Sequence, residues 1–156
     1  MARILVVEDS SAVRAYIRAA LEDAPGLFAR GPEDAPTEVE VVEAASGFDA
    51  LRLLPRGHYD LVITDINMPD INGLELIRFV RESERHRKVA LMIVSTQSAE
   101  KDRARGLALG ADVFLAKPFT VEALRKAVVT ALNGRSAQFA ADAPPSEGAT
   151  PSEGSR

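Results

Sequence analysis

The chain has 156 residues, no cysteine, 27% charged residues and a formal net charge of −4. With 46% apolar residues it is one domain's worth of chain that can bury a core without staples, and disulfides and thiolate metal sites are excluded. The acidic balance, the interleaving of bases with acids in Arg81-Glu82-Ser83-Glu84-Arg85-His86-Arg87-Lys88 and the lack of any membrane-length apolar run point to a cytoplasmic protein with no nucleic-acid partner and no membrane insertion.

Ile4 to Val7 is a short continuous apolar run. Glu8-Asp9-Ser10-Ser11 follows, and then Val13, Ile17, Ala20 and Leu21 recur at helical spacing, which predicts a strand, an acidic loop and a helix capped by Asp9 or Ser10. Residues 24 to 38 hold Pro25, Gly26, Gly31, Pro32 and Pro36, which bar a regular element, so they read as a long surface connection: a tolerated insertion or a private docking surface. Val39 to Ala44 alternates toward a second strand, and Ser46 caps a helix with Ala50, Leu51 and Leu54 that Pro55 and Gly57 stop.

The third strand, Leu61-Val62-Ile63, lacks alternation, as a strand covered on both faces does, and ends at Asp65 before Met68-Pro69 breaks the chain into a turn. Gly73 to Glu84, with Leu74, Leu76, Ile77 and Val80, predicts an amphipathic helix. Val89 to Val94 is again wholly apolar and ends in Ser95-Thr96-Gln97-Ser98, after which Ala99 to Leu109 forms a helix that Gly110 terminates. Asp112 to Ala116 makes the fifth strand and runs into Lys117-Pro118. Thr120 caps a last helix whose Leu124, Val128 and Leu132 share a face, and Asn133-Gly134 closes it. The domain is thus placed at 1–134. Residues 135–156, rich in Ala, Ser, Pro, Gly and Glu with Pro-Ser-Glu-Gly at 145–148 and again at 151–154, predict a disordered tail.

Five strands alternating with five helices predict an α/β fold with a parallel sheet, right-handed crossovers and helices on both faces. All strands then end on one rim, which is where ligands bind in such sheets. Glu8 and Asp9, Asp65, Ser95 and Lys117 all lie there, and they converge if the first and third strands are neighbours. An aspartate at a strand end is by itself equally a turn residue, so the chemistry rests on the set. Three crowded carboxylates call for a cation, and Mg²⁺ suits an all-oxygen site shared with a phosphate. Lys117 would balance phosphate charge, Ser95 would donate to a phosphate oxygen, and Asp65 would be a nucleophile for phosphoryl transfer. His58 and His86, each in a polar turn without a second His or a Cys, are given no role.

These residues carry a resemblance. Leu5-Val6-Val7-Glu8-Asp9-Ser10, Asp65-Ile66-Asn67-Met68-Pro69, Asn72-Gly73, Ser95, Gly110-Ala111 and Lys117-Pro118-Phe119 together resemble the receiver domain of two-component response regulators, the CheY-like family, over residues 2 to about 134. The resemblance implies the flavodoxin-like (βα)5 fold with strand order 2-1-3-4-5. It also implies phosphorylation of Asp65, Mg²⁺ held by Glu8, Asp9, Asp65 and the backbone carbonyl of Asn67, and a phosphate-binding Lys117 followed by a cis proline. Ser95 and Phe114 take the switch positions, with serine where threonine is frequent and phenylalanine where tyrosine is. Asn67 and Gln97 stand where residues tune the lifetime of the acyl phosphate.

The implied partners are a sensor histidine kinase and a protein target met by the face of the fourth helix, fifth strand and fifth helix, the chain being a monomer or weak dimer. With no output module read after Gly134, control of chemotaxis or motility is one outlet and phosphate shuttling to a histidine phosphotransfer protein the other. Such a receiver is not an enzyme beyond promoting its own phosphorylation and dephosphorylation. An aspartyl-nucleophile phosphatase of the haloacid-dehalogenase type would need an acid at position 67, which is Asn. A binding module that is never phosphorylated would have no use for the intact acidic set.

Overall fold

The computed structural model describes residues 2–28, 38–96 and 100–141, with the backbone alone for Pro25, Glu100 and residues 135–141. Strands β1 (Ala2–Val7), β2 (Val39–Ala44), β3 (Leu61–Thr64), β4 (Ala90–Ser95) and β5 (Val113–Ala116) alternate with helices α1 (Ser11–Glu22), α2 (Gly47–Leu53), α3 (Gly73–Glu82), α4 (Glu100–Leu109) and α5 (Val121–Ala141). All neighbouring strands pair in parallel, in the order 2-1-3-4-5. The sheet is therefore doubly wound and flavodoxin-like.

The continuous apolar strands are explained by the two layers that cover them. Ile4, Val6, Leu61, Ile63, Met92 and Val94 point to one side and pack with Ile17 and Leu21 of α1 and Leu124 and Val128 of α5. Leu5, Val7, Val62, Leu91 and Ile93 point to the other and pack with Ala50 of α2 and Leu76, Ile77 and Val80 of α3. Burying each of these Leu, Ile and Val side chains stabilises the fold by about 1.5–3 kcal/mol.

Helix starts follow the capping residues. The hydroxyls of Ser10, Ser46 and Thr120 accept from the N–H groups of Val13, Asp49 and Ala123, and Asn72 forms a reciprocal capping box with Glu75. Gly110 takes φ +123° after α4, the left-handed conformation that ends the helix there.

Three expectations shift. Pro25–Phe28 forms a 3-10 turn within the long connection, because Leu27 and Phe28 pack against the α1/α5 core and a proline is acceptable at a helical first turn; residues 29–37 lie outside the described residues. The last helix passes through Asn133-Gly134 and continues to Ala141. Asn and Gly stop a helix chiefly where a residue turns left-handed, and among the described glycines only Gly110 does so; residues 142–156 of the expected tail lie outside the described residues. His86 lies in the expected turn, but its side chain is buried against the Tyr59 ring, with centroids 6.4 Å apart.

Burial of His86, aided by the charges of Arg85 and His58, pushes its pKa below the usual 6.5 against a hydrogen bond with the Leu54 backbone. As pH falls below about 6.5 the unfolded chain takes up a proton that the folded chain resists, so stability declines on acidification. Urea unfolding at pH 7.5 and 5.5 is expected to show a pH-dependent loss that His86→Leu reduces; an identical loss in the variant would refute it.

At the N-terminal edge of the sheet, Arg81 of α3 acts as a clamp. Its guanidinium donates to the carbonyls of Gly110 (2.9 Å), Arg87 (2.9 Å) and Val89 (2.6 Å) and to Asp112 Oδ2 (3.1 Å), while Asp112 accepts from the Leu91 N–H at 2.8 Å.

Candidate functional site

The strand register places the site at the opposite edge. Val7 pairs with Ala44 on one side and Thr64 on the other, so the next residues, Glu8 and Asp65, emerge side by side, and the Asp65 N–H donates to the Val7 carbonyl at 3.0 Å. Ser95 ends β4 opposite Ala116, and the Lys117 N–H donates to the Ser95 carbonyl at 2.9 Å, which starts the lysine from the same rim.

The Lys117 ammonium donates to Glu8 Oε1 at 2.7 Å and to Asp65 Oδ2 at 3.0 Å. Glu8 and Asp65 are buried and Asp9 is exposed, yet each of the three offers a carboxylate oxygen within 4.8 Å of the others. The Ser10 N–H donates to the second Glu8 oxygen, and the Asn67 N–H to Asp65 Oδ1 at 3.3 Å. Asn67 itself is exposed at the rim.

Burial pushes the Glu8 carboxyl above its usual range, even though Lys117 and the Ser10 N–H pull it down; Asp9 and Asp65 push it further up. Burial also opposes charge on Lys117, but Glu8 and Asp65 outweigh it and the net shift is upward. A single ammonium thus faces a buried cluster of three carboxylates, too few positive charges to neutralise it. An all-oxygen set with surplus negative charge fits a hard divalent cation of the Mg²⁺ kind.

Two features fix the loop that carries Asp65. The first residue of α3 is Gly73, whose N–H donates to the Ile66 carbonyl at 2.8 Å. A Cβ there would lie 2.0 Å from the Asp65 carbonyl oxygen, so a side chain at this position would displace the backbone of the site. Farther along, the Asp70 carboxylate accepts from the N–H groups of Gly47 and Phe48, tying the loop to the start of α2. Those backbone donors, Phe48 first and with Ile71, lower its pKa to about 2.

Ser95 is buried. Strand alternation puts it on the same side of the sheet as Leu91 and Ile93, and Phe114 pairs with Ile93 and is half-buried on that side too. The serine and the aromatic therefore share a face. Lys117-Pro118 is cis. Gln97 lies outside the described residues. The fold brings together Glu8, Asp9, Asp65, Asn67 and Lys117, and adds two residues that the sequence does not single out, Asp70 and Arg14, whose guanidinium donates to the Glu8 carbonyl at 2.6 Å. A carboxylate just before the Asn72 cap and a helical arginine five residues past Asp9 were the available signals, and both are commonplace on surfaces.

Comparison with known proteins gives a consistent picture. The family model of the response regulator receiver domain matches residues 4–129. The chain is 31% identical over 141 residues to a chemotaxis protein CheY homolog of Campylobacter jejuni, covering 90% of this chain and 99% of that one. It is 35% identical over 104 residues to an uncharacterized transcriptional regulatory protein, YcbL, of Bacillus subtilis, covering 67% of this chain. The chain spans 44% of that relative and 46% of a probable transcriptional regulatory protein of Picosynechococcus. Among solved structures, the chemotaxis response regulator CheY4 of Vibrio cholerae superposes with a TM-score of 0.67 at 32% identity, over 81% of this chain and 94% of that one. No helix among the described residues is long and apolar enough to cross a membrane.

Proposed function

We propose that the chain, which belongs to the response regulator receiver domain family, takes a phosphoryl group onto Asp65 from a sensor histidine kinase and thereby switches a protein-binding face. The observation that carries this reading is the Lys117 ammonium bridging Asp65 and Glu8, with Asp9 beside them. In the transfer, an Asp65 carboxylate oxygen forms the new P–O bond as the donor's P–N bond breaks, and the imidazole keeps the electron pair. Lys117 binds the incoming phosphoryl oxygens and loses its hold on Asp65 as it does so. Mg²⁺, held by Glu8, Asp9, Asp65 and the Asn67 carbonyl, would offset the charge gathering on the transferred group.

Ser95 then donates to a phosphoryl oxygen, and Phe114, on the same side of the sheet, moves inward behind it. The affinity of the α4, β5 and α5 face for its target changes as a population shift driven by local charge. The Campylobacter relative, named for chemotaxis and covered over nearly its full length, supports control of chemotaxis or motility as the outlet; the chain would act there as a cytoplasmic monomer or weak dimer. Phosphate shuttling to a histidine phosphotransfer protein is the second outlet. The chain's own chemistry ends with gain and hydrolysis of the acyl phosphate.

Incubation with Mg²⁺ and a small acyl-phosphate donor is expected to add one phosphoryl group by mass to the wild type and none to Asp65→Asn. Unlabelled wild type with metal present would reject the assignment. Capture of a target by the beryllofluoride-treated but not the untreated protein separates a phosphorylation-gated switch from constitutive binding.

A further inference from the structure

The Glu8–Asp9 peptide carries two of the three carboxylates, so its orientation aims both. One end is fixed by the sheet, where the Glu8 N–H donates to the Ala44 carbonyl at 3.0 Å. The other is fixed by Arg14, which stands on the second turn of α1 with its N–H on the Ser10 carbonyl and folds back so that Nη1 donates to the Glu8 carbonyl at 2.6 Å. The same guanidinium donates through Nε to Glu43 Oε1 at 2.9 Å, and the Arg14 side chain is only 17% exposed. Glu43 sits on β2 next to Ala44. Its other oxygen accepts from Arg18 Nε at 2.7 Å, and Arg18 and Arg14 together hold its pKa below the usual range.

We propose that Arg14, braced by Glu43, is a positioning residue for the Glu8–Asp9 pair and so sets the affinity of the site for its divalent cation. This rests on the phospho-receiver reading above. Two effects of Arg14 oppose each other. Its positive charge repels a cation, while its hydrogen bond to the Glu8 carbonyl, braced by the one to Glu43, holds the peptide that aims the ligands. Glu43 shares the charge, so repulsion is largely cancelled within the pair and orientation remains. A planar guanidinium reaches the carbonyl and the carboxylate together; a lysine ammonium on a flexible stem keeps the charge without that fork.

The test is calorimetric titration of Mg²⁺ into the full chain without phosphodonor, alongside labelling rates across Mg²⁺ concentrations. Arg14→Gln and Arg14→Lys are each expected to raise the Kd for Mg²⁺ about tenfold or more, the usual cost of losing a group that orients metal ligands. Labelling at saturating Mg²⁺ is expected to return close to the wild-type rate. Arg18→Gln is the control, because Arg18 holds Glu43, Glu22 and the Val41 carbonyl but does not donate to Glu8. It is expected to leave the Kd unchanged. Should Arg14→Gln fail to fold, Arg14→Lys carries the measurement.

A wild-type Kd in both Arg14 variants, a tighter one in Arg14→Gln, or an equal rise in Arg18→Gln would overturn the inference while leaving the phospho-receiver reading intact. A wild type that binds no Mg²⁺ would sink both.

Discussion

Arg81→Ala is expected to lower the unfolding free energy by about 3–5 kcal/mol, the range for breaking a buried ion pair by removing one partner. The Arg81 and Asp112 side chains are 14% and 8% exposed, so Asp112 would be left charged with little access to water. Three backbone carbonyls, on Arg87, Val89 and Gly110, lose the same donor. They belong to the entry into β4 and the exit from α4, so the loss reaches both elements at once. Arg81→Lys keeps the charge, but an ammonium cannot reproduce a fork that meets four acceptors, and it is expected to recover only a minor part. A small domain has about 5–15 kcal/mol in total, so urea unfolding resolves the effect easily. The clamp lies at the far edge of the sheet from Asp65, so labelling by an acyl phosphate at low temperature is expected to survive. A loss below about 1 kcal/mol would mean that water and neighbouring groups already satisfy these atoms.

The two sheet edges differ in how legible they are in the sequence. Asp65, Glu8 and Lys117 can be found because each ends a run of apolar residues, and the end of a buried strand is a place that pattern alone locates. That the runs lie in the order 2-1-3-4-5 does not follow from their patterns. The central strands β3 and β4 are apolar on both faces, so nothing in either says which neighbour it takes; the order followed from the resemblance. Arg14, Asp70 and Arg81 stay invisible for a different reason. Each acts through backbone carbonyls or N–H groups brought near by the fold, and a backbone group has no residue type to read. The burial of His86 is missed because six of the other seven residues in the 81–88 stretch are charged, while that burial depends on Tyr59, which is distant in the chain. The end of α5 is misread because Asn-Gly is a stop only where the chain turns left-handed, and neither residue does so here.

Lys117→Ala is expected to cost about 3 kcal/mol without divalent cation and to slow labelling about a hundredfold or more at saturating Mg²⁺, by analogy with losing one preorganised donor to a developing charge. The stability loss has a specific origin. Glu8 and Asp65 keep side-chain exposures of 1% and 8%, and without the ammonium they face each other unpaired. Its pH dependence follows from the signs. Burial already raises the Glu8 pKa above 4.5, and removing Lys117 raises it further, so the folded variant binds more protons than the unfolded chain just above pH 4.5. Its deficit therefore shrinks on acidification from neutral pH. At the alkaline end, the raised pKa of Lys117 gives the wild type stability that is complete below 10.5 and is lost as pH rises through the folded value. The variant lacks that loss. A divalent cation bound only by the folded state adds RT ln(1 + [L]/Kd), and the variant has no ammonium competing for its carboxylates. Mg²⁺ is thus expected to raise the melting temperature of Lys117→Ala by more than that of the wild type, yet restore little labelling. Equal Mg²⁺ shifts in the two proteins would show that the lysine and the metal do not share these carboxylates, and the site as drawn would have to be abandoned.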